Sequence, residues 1–322
     1  MKKIAIVAGE PESINSEIIA KAWKKLPKIL KKRIFVIGNY NLLKKQLKKI
    51  KVKVPIVKVN KLNFRNSNKH ISIYDIPLKF KNPYKIKGNN NSKYVLKCIN
   101  KAHELSKKKI LNGFVNCPID KKKVFGERKI GLTEYLSIKN KLKTKAVMLI
   151  YNNKLAVTPI TTHISIKNVS KSLGKKLLEK KILILNKFYN KIFKRKPVIA
   201  MLGLNPHNDE FRKNSEERKT IIPSIKKLKK SKIKIFGPFP SDTAFSSKKR
   251  SSYDVIVGMY HDQVLGPYKA IYNFDAINIT LGLDYLRVSP DHGTGKDIIG
   301  KRKANPFSLI KSIIFLSNIK QW

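Results

Sequence analysis

The segment 254–300 constrains the fold of this chain more than any other feature of its sequence. It opens with a run of apolar or small residues, 255–259, that ends directly in four polar side chains at 260–263. Short buried strands that end in polar groups are typical of open α/β sheets, which bind ligands at the carboxyl ends of their strands. A second such strand is predicted at 277–280 and is followed by an arginine, a histidine and a glycine-spaced turn at 293–295. The sequence therefore predicts an α/β protein whose active-site half lies in this segment.

Apolar runs and helical periodicities alternate along the whole chain, which favours an α/β fold with mostly parallel or mixed sheets. The 322 residues are many for one hydrophobic core, so we expect two α/β lobes. Besides the two runs above, strands are predicted at 3–8, 34–37, 54–59, 113–117, 147–151, 155–160, 197–204 and 233–236. The main helices are predicted at 92–111, at 166–193 with a break near Gly174, at 215–228 and at 307–319.

A formal net charge of +51 is extreme for a chain of this length. Such a field binds polyanions without regard to their sequence, so a basic nucleic-acid-binding protein that keeps an enzyme fold is one interpretation. However, the basic residues are mostly lysines spread along the whole chain, and no recognition motif accompanies them. We therefore expect no nucleic-acid partner and attribute the charge to a compositional bias that also suits an anionic small substrate.

The two cysteines, Cys98 and Cys117, form no Cys-x-x-Cys pair and are too few for a disulfide framework. This usage favours a reducing, cytoplasmic location. The N-terminal apolar stretch is too short for a signal peptide and is better interpreted as a first strand. No run approaches the roughly 18 apolar residues that a transmembrane helix needs, so we expect a soluble protein without a membrane partner.

Three of the six histidines, His163, His207 and His261, lie within a few residues of the end of a separate predicted strand. A single histidine near a strand is more often a hydrogen-bonded structural residue than a ligand. Three at equivalent strand ends can converge in one sheet, and three imidazoles with an open position are typical of a catalytic zinc-type site. No His-x-x-x-His or other local metal motif supports this arrangement, so both interpretations stay open.

The first predicted strand is not followed by Gly-x-Gly-x-x-Gly, so the sequence does not support an ordinary Rossmann cofactor site. The turn 293–295 could instead hold a phosphate or an adenosine with its backbone N–H groups. Taken alone, this turn is better explained as a plain entry into a helix.

Seven blocks recur in the order and spacing of a known family, and the resemblance covers nearly the whole chain and is densest after residue 198. They are Gly131-x-Thr133-Glu134, Thr161-Thr162-His163, Gly203-Leu204-Asn205-Pro206-His207, Gly237-Pro238-x-Pro240-x-Asp242-Thr243-x-Phe245, Tyr260-His261-Asp262-Gln263, Asn278-x-Thr280-Leu281-Gly282-Leu283 and Asp291-His292-Gly293-Thr294. Together these blocks resemble the PdxA family of 4-hydroxythreonine-4-phosphate dehydrogenases, which acts in pyridoxal phosphate biosynthesis. So many ordered blocks argue against a chance similarity.

The resemblance implies the two-lobed α/β fold of isocitrate and isopropylmalate dehydrogenases, with the active site in the interlobe cleft and completed across a homodimer. By this comparison the first lobe comprises residues 1–137 and 293–322. The second lobe, residues 138–292, carries the metal ligands and the dimer contacts. The implied cofactors are NAD or NADP and one divalent metal ion, either zinc, magnesium or cobalt.

The resemblance also assigns roles to individual residues. The metal ligands would be His163, His207 and His261, one of them contributed across the dimer. The residues that bind the phosphorylated substrate would be Leu132, Thr133, Lys269, Asn278 and Arg287. The loop that receives the nicotinamide cofactor would contain Asp291, His292, Gly293, Thr294 and Asp297. The candidate catalytic residues are Asp262, which could relay a proton, orient an imidazole or merely cap a helix, and Lys269, which could donate a proton or only bind an anion.

The implied reaction is the NAD-dependent oxidation of 4-phosphooxy-L-threonine to a β-keto acid. This product loses CO₂ to give 3-amino-2-oxopropyl phosphate, a step in vitamin B6 biosynthesis. The implied site chemistry fits this reaction, because a metal ion lowers the pKa of a bound hydroxyl and can stabilise the enolate that decarboxylation leaves. Arginine binds carboxylate or phosphate with its planar fork, and lysine binds them as a point charge.

The sequence departs from the family pattern at three places around the implied substrate. Leu132 stands where the family has a histidine that is expected to contact the substrate phosphate. The block 9–17 lacks the later glycines of the family's N-terminal motif, and Asn208 and Asp209 replace an Ala-Gly pair. A dehydrogenase of threonate or erythronate 4-phosphate is therefore the nearest alternative. A scaffold protein without catalysis is a weaker one, because it would not need the histidines, Lys269 and Arg287 together.

Overall fold

A computed structural model describes residues 3–61, 67–86, 89–126, 131–142, 146–273 and 275–319. Within these residues the strands are β1 Lys3–Val7, β2 Ile34–Gly38, β3 Ile56–Val59, β4 Ile71–Asp75, β5 Leu111–Asn116, β6 Val147–Tyr151, β7 Ala156–Pro159, β8 Ile199–Leu202, β9 Ile235–Phe239, β10 Val255–Gly258, β11 Ile277–Leu281 and β12 Leu286–Pro290. The α-helices are α1 Asn15–Lys25, α2 Lys28–Lys31, α3 Tyr40–Lys49, α4 Asn90–Lys107, α5 Lys121–Phe125, α6 Leu132–Lys139, α7 Val169–Ser172, α8 Lys175–Phe193, α9 Ile222–Lys230, α10 Ser241–Ala244, α11 Ser247–Arg250, α12 His261–Tyr272 and α13 Phe307–Asn318. A π-helical turn, Glu217–Ile221, leads directly into α9, and a short 3-10 turn covers Lys296–Ile298.

Backbone contacts divide the chain into two units, of which the first is discontinuous. The first unit comprises Met1–Arg128 and Asp284–Trp322, and the second comprises Lys129–Leu283. The lobes implied by the resemblance have the same discontinuous pattern but place their junctions after residues 137 and 292. In the structure both junctions come earlier in the chain, so α6 falls in the second unit and β12 in the first.

The first unit contains a parallel sheet in the order β3-β4-β2-β1-β5-β12. β2 is buried over its whole length, as expected for a parallel strand that helices cover on both faces. The chain leaves β1 toward β2 on one side and returns to the other side of β1 as β5. The strand order therefore reverses between β1 and β5, which is where open α/β sheets place a ligand crevice.

The second unit contains a mixed sheet in the order β11-β6-β7-β10-β8-β9. β6 runs antiparallel to both β11 and β7, and the remaining neighbours are parallel. Asn278 lies opposite Ile150 in this register, and Thr280 lies opposite Met148. Met148 and Ile150 belong to the core that packs under α12. Because paired residues share a face of the sheet, Asn278 and Thr280 lie on the α12 face.

The apolar runs at 255–259 and 277–280 form β10 and β11, so the mixed α/β class predicted from the sequence is confirmed. The break near Gly174 is also present, because the chain there passes from α7 to α8. The predicted strand at 233–236 is shifted and extends to Phe239, and the predicted helix at 215–228 begins with the π-helical turn. Across the described ranges no helix is long and apolar enough to cross a membrane.

Candidate active site

His163 and His261 lie side by side at the carboxyl ends of two neighbouring strands. β7 and β10 are parallel, and the pairing continues past their ends because the Thr161 N–H donates to the Met259 carbonyl at 3.0 Å. The Thr161 hydroxyl donates to the same carbonyl at 2.7 Å. As a result the two imidazole rings face each other with their centroids 6.1 Å apart. Of the three histidines that could converge at strand ends, the structure brings this pair together.

The start of α6 packs directly against His163. Glu134 accepts the Gly131 N–H at 2.9 Å with one carboxylate oxygen and the Thr162 hydroxyl at 3.2 Å with the other. A Cβ added to Gly131 would stand 3.1 Å from His163 Nε2, which is tighter than ordinary contact. Only glycine therefore lets the backbone approach the imidazole this closely. Glu134 was not among the predicted site residues, although its spacing after Gly131 is that of a capping box.

The predicted substrate residues Leu132 and Thr133 begin α6, and Asn278 lies on β11. Thr133 Oγ1 lies 3.4 Å from Thr280 Oγ1, so the first turn of α6 contacts β11. Asn278 is two residues before Thr280 on the same face, and its Oδ1 atom is buried without a hydrogen-bond partner. Leu132 is buried with 4% of its surface exposed. This part of the structure therefore contains a buried acceptor without a partner on the β11 face that carries Thr280, whose hydroxyl lies near that of Thr133.

His207 lies on a left-handed turn after β8. Every residue from His207 to Phe211 has a positive φ, between 46° and 59°. L-residues disfavour this conformation by roughly 1–2 kcal/mol each, although Asn and Asp tolerate it better. Asn208 and Asp209, which replace the Ala-Gly pair of the family, are thus compatible with the turn. The His207 side chain is 73% exposed, and its Nδ1 atom is 3.7 Å from Glu210 Oε1.

The three predicted metal ligands do not form one cluster within a single chain. Among the residues that the structure describes, no group of three or more His, Cys, Asp and Glu side chains could hold a metal ion. The structure brings His163 and His261 together and leaves His207 exposed on its turn. Two imidazoles nevertheless face each other, and imidazole is a suitable ligand for zinc or cobalt.

Gln263 joins the segments that carry His261 and His207. Its Oε1 atom accepts the Met259 N–H at 2.6 Å, and its Nε2 atom donates to the Gly203 carbonyl at 2.7 Å. Only 7% of its surface is exposed. Gln263 was part of a block that resembles the family but was given no role, because nothing local indicates a contact 60 residues away.

The two predicted catalytic residues lie on α12. Asp262 Oδ1 is 2.8 Å from His261 Nδ1, and the Asp262 side chain is 81% exposed. Tyr260, not Asp262, occupies the N-cap position, so the alternative of Asp262 as a helix cap is wrong. Lys269 follows Asp262 by seven residues and lies on the same side of the helix, where it is half-buried.

The remaining predicted residues belong to the first unit. Arg287 lies on β12 with 5% of its surface exposed, and its Nε atom donates to Asn116 Oδ1 at 2.5 Å. Asn116 ends β5, so this contact holds the guanidinium at the carboxyl end of the parallel sheet. Asp291 follows β12 and is buried, with its N–H donating to the Ser308 hydroxyl at 3.0 Å. His292 Nδ1 lies 3.0 Å from the Gly293 carbonyl.

The predicted cofactor loop packs on the N-terminal loop of the first unit. The Ile14 N–H donates to the Thr294 carbonyl at 3.1 Å. Gly295 has a φ of 59°, and a Cβ there would stand 2.9 Å from the Ile14 side chain, so glycine is required. At Gly293 a Cβ would meet no atom within 4 Å, which leaves the backbone open to a ligand. Asp297 is exposed in the 3-10 turn that follows.

Two carboxylates near this loop titrate away from their ordinary range. Burial raises the pKa of Asp120, but a hydrogen bond from Lys296 Nζ at 2.6 Å and other contacts outweigh this effect, so the pKa is lowered. Burial raises the pKa of Glu10, which is 1% exposed, and hydrogen bonds from Asn91 and from two backbone N–H groups only partly oppose it. Glu10 was not predicted as a site residue, because the sequence indicates only that it belongs to a turn after the first strand.

Comparisons with known proteins agree with this geometry. The family model "Pyridoxal phosphate biosynthetic protein PdxA" matches residues 30–315. A 4-hydroxythreonine-4-phosphate dehydrogenase from Sulfurihydrogenibium sp. (strain YO3AOP1) is 37% identical over 320 residues, which are 97% of this chain and 97% of that protein. The crystal structure of 4-hydroxythreonine-4-phosphate dehydrogenase from Klebsiella pneumoniae matches with a TM-score of 0.84 and 29% identity, covering 100% of this chain and 98% of that chain.

A more distant structure shows the wider fold. Isocitrate dehydrogenase from Methylococcus capsulatus matches with a TM-score of 0.50 and 13% identity, covering 100% of this chain and 86% of that chain. The predicted isocitrate dehydrogenase-like α/β fold is therefore confirmed. The family model spans most of the sequence, and the relative is similar over its whole length. The chain belongs to the PdxA family of dehydrogenases.

Proposed function

We propose that this chain oxidises 4-phosphooxy-L-threonine with NAD or NADP and that the resulting β-keto acid decarboxylates to 3-amino-2-oxopropyl phosphate. The observation that carries the proposal is the His163–His261 pair, which faces the start of α6 beside Thr133 and Asn278. Relatives named 4-hydroxythreonine-4-phosphate dehydrogenase along the whole chain support the choice of substrate.

The residues that would hold a divalent metal ion are His163, His261 and His207. The facing imidazoles of the first two fit such an ion, and the exposed ring of His207 is free to approach either its own site or that of a second copy. A bound metal ion would supply Lewis acidity toward the substrate hydroxyl and the later enolate. Because the described residues of one chain do not gather three ligands, we also propose a homodimer that completes each site.

The chain's own side chains would bind and orient the substrate. The Thr133 hydroxyl can donate or accept a hydrogen bond with the polar groups of the substrate, and the unused Asn278 Oδ1 can accept one from them. Arg287, whose Nε atom donates to Asn116, would bind the carboxylate or the phosphate of the substrate. Asp262 would orient the His261 ring through Nδ1 and so leave Nε2 directed at the site. Lys269 would bind an anionic group or return a proton to the product carbon.

The residues that would receive the nicotinamide cofactor lie around the loop after β12. The open backbone at Gly293 fits a bulky ligand, and Lys296 fixes the following turn to Asp120. A nicotinamide cofactor would accept the hydride from the oxidised carbon. Asp291, His292, Thr294 and Asp297 would contribute hydrogen bonds in this loop. The cytoplasmic location stays a prediction, since it depends only on cysteine usage.

The direct test is NADH formation at 340 nm with 4-phosphooxy-L-threonine, before and after chelation and with zinc, magnesium or cobalt restored. We expect turnover that chelation abolishes and added metal ion recovers. Turnover that survives complete chelation would overturn the metal site. An inactive but folded and metal-loaded protein would overturn the substrate.

Leu132 leaves the choice of substrate within the same reaction type to be tested. Its side chain is buried and apolar, and by the resemblance it stands where the family has a histidine expected to contact the substrate phosphate. A four-carbon sugar-acid phosphate, threonate or erythronate 4-phosphate, carries the same phosphate group and is the other substrate to measure. A kcat/KM for either sugar acid well above that for 4-phosphooxy-L-threonine would favour this candidate.

A further inference from the structure

Glu217 has a fully buried carboxylate that the proposed chemistry does not use. It is the first residue of the π-helical turn before α9 and has 0% of its surface exposed. π-helical turns of this kind are frequent at functional sites. Among the described residues, its hydrogen-bond partners are all N–H groups, and no lysine or arginine forms an ion pair with it.

These partners belong to the segment that directly precedes His207. Glu217 Oε1 accepts the Leu204 N–H at 2.7 Å and the Asn205 N–H at 2.9 Å. Its Oε2 atom accepts the Asn205 side-chain amide at 3.1 Å. One carboxylate therefore fixes two consecutive peptide planes and a side chain just before Pro206 and the left-handed turn.

The backbone at Gly203 packs closely against the side chains of Glu217 and Asn208. A Cβ on Gly203 would stand 3.0 Å from Glu217 Oε1 and 2.1 Å from Asn208 Oδ1. The Gly203 carbonyl is held from the other side by Gln263 Nε2 at 2.7 Å. The chain therefore keeps glycine where the carboxylate of Glu217 and the turn of His207 meet.

Two features next to Gly203 are energetically unfavourable: the buried carboxylate of Glu217 and the left-handed turn that carries His207. A buried carboxylate without a cation is costly compared with an apolar residue of similar size. The left-handed turn from His207 to Phe211 is costly for L-residues, and such strain persists only where the surroundings fix it. Charge-assisted bonds to backbone N–H groups are strong and directional, so Glu217 can fix the entry to the turn.

We propose that Glu217 is a positioning residue, which fixes the backbone of Leu204 and Asn205 so that the turn presents His207 for metal binding. This inference rests on the metal role of His207 in the proposed function. It does not make Glu217 a ligand or a catalytic residue, because its carboxylate is directed at the backbone and not at the site.

The test compares Glu217→Gln with Ile221→Val in otherwise unchanged protein. Glutamine keeps the size of the side chain but turns one oxygen into an N–H donor that faces the Asn205 amide. Ile221 lies on the same π-helical turn and is 0% exposed, so Ile221→Val loosens the packing without touching the carboxylate contacts. Both variants and the wild type are stripped of metal and titrated with Co²⁺, followed by calorimetry and by the visible absorption of bound Co²⁺. Backbone amide exchange of Leu204 and Asn205 is measured in the metal-free proteins.

We expect Glu217→Gln to weaken Co²⁺ binding at least tenfold, as removal of a supporting residue around a metal site typically does, and to speed amide exchange at both positions. Ile221→Val should leave the affinity within about twofold of wild type, since it keeps every contact of the carboxylate. Unchanged exchange or unchanged affinity in Glu217→Gln overturns the inference, as does an equal loss of affinity in Ile221→Val. If the wild type binds no Co²⁺, the metal part of the proposed function fails, and amide exchange alone decides whether Glu217 fixes the turn.

Discussion

The proposed anion-binding role of Arg287 can be tested with a single substitution. Its guanidinium is buried on β12, and its Nε atom donates to Asn116 Oδ1. Arg287→Lys keeps the charge but loses both the Asn116 contact and the planar fork. We expect kcat/KM to fall about tenfold or more, mainly through KM. Arg33→Lys in the same unit, where the side chain donates to the Ser317 carbonyl at 3.4 Å, is the control and should keep kcat/KM. Equal kcat/KM for Arg287→Lys and wild type would contradict the assignment.

Glu10 makes the stability of the protein depend on pH in an unusual direction. Burial raises its pKa above the ordinary value of 4.5, so the folded protein binds this proton more tightly than the unfolded chain does. The contribution of Glu10 is therefore greatest below pH 4.5 and is lost as the pH rises through the raised pKa. Glu10→Gln removes the titration, so the free energy of unfolding of the wild type should fall relative to that of the variant above pH 4.5. Urea unfolding of both proteins across this range measures the difference, and parallel pH profiles would contradict it.

At the scale of elements, Gln263 connects the start of α12 with the end of β10 and the segment after β8. Gln263→Leu leaves the Met259 N–H and the Gly203 carbonyl buried without this partner. Each unsatisfied buried group costs about 1–3 kcal/mol, so we expect the free energy of unfolding to fall by about 2 kcal/mol or more. Asp262→Asn, one residue earlier and 81% exposed, should change stability by less than about 0.5 kcal/mol. Chemical denaturation of the two variants measures this difference. Similar unfolding midpoints would show that the two hydrogen bonds of Gln263 are not needed for stability.

The elements also show where local sequence patterns suffice. β10 was predictable because its apolar run is uninterrupted, and the break before α8 was predictable from Gly174. β11 was also predicted, although Asn278 and Thr280 alternate with its apolar residues. β12 was not predicted as a strand, because Arg287, Ser289 and Pro290 interrupt its apolar residues. Its burial depends on partners far away in the sequence, such as Asn116 for the guanidinium. A local pattern cannot contain that information.

For the whole molecule, the sequence indicated the α/β class, the family and candidate residues for a site, but not the framework that supports them. His163 and His261 were predicted to approach because both follow strands, and parallel pairing of β7 and β10 brings them together. Glu134, Gln263 and Glu217 hold the histidine segments through contacts across the fold, and their sequence neighbourhoods resemble ordinary helix starts. The metal, cofactor and substrate roles stay predictions.

The net charge of +51 acts on the whole molecule through self-repulsion. With 71 Lys and Arg against 20 Asp and Glu, most cations have no carboxylate to pair with, and folding brings them closer together than in the unfolded chain. At about 0.15 M ionic strength the Debye length is roughly 8 Å, so added salt screens much of this repulsion. We expect the Tm to rise by about 1–2 °C between 10 mM and 300 mM NaCl, as a gain of about 1 kcal/mol would produce in a chain of 322 residues. Differential scanning calorimetry with NaCl and with an equimolar uncharged osmolyte separates screening from solvent exclusion. A Tm that stays constant or falls with NaCl would mean that local ion pairs such as Arg195–Asp254, at 2.6 Å, outweigh the global repulsion.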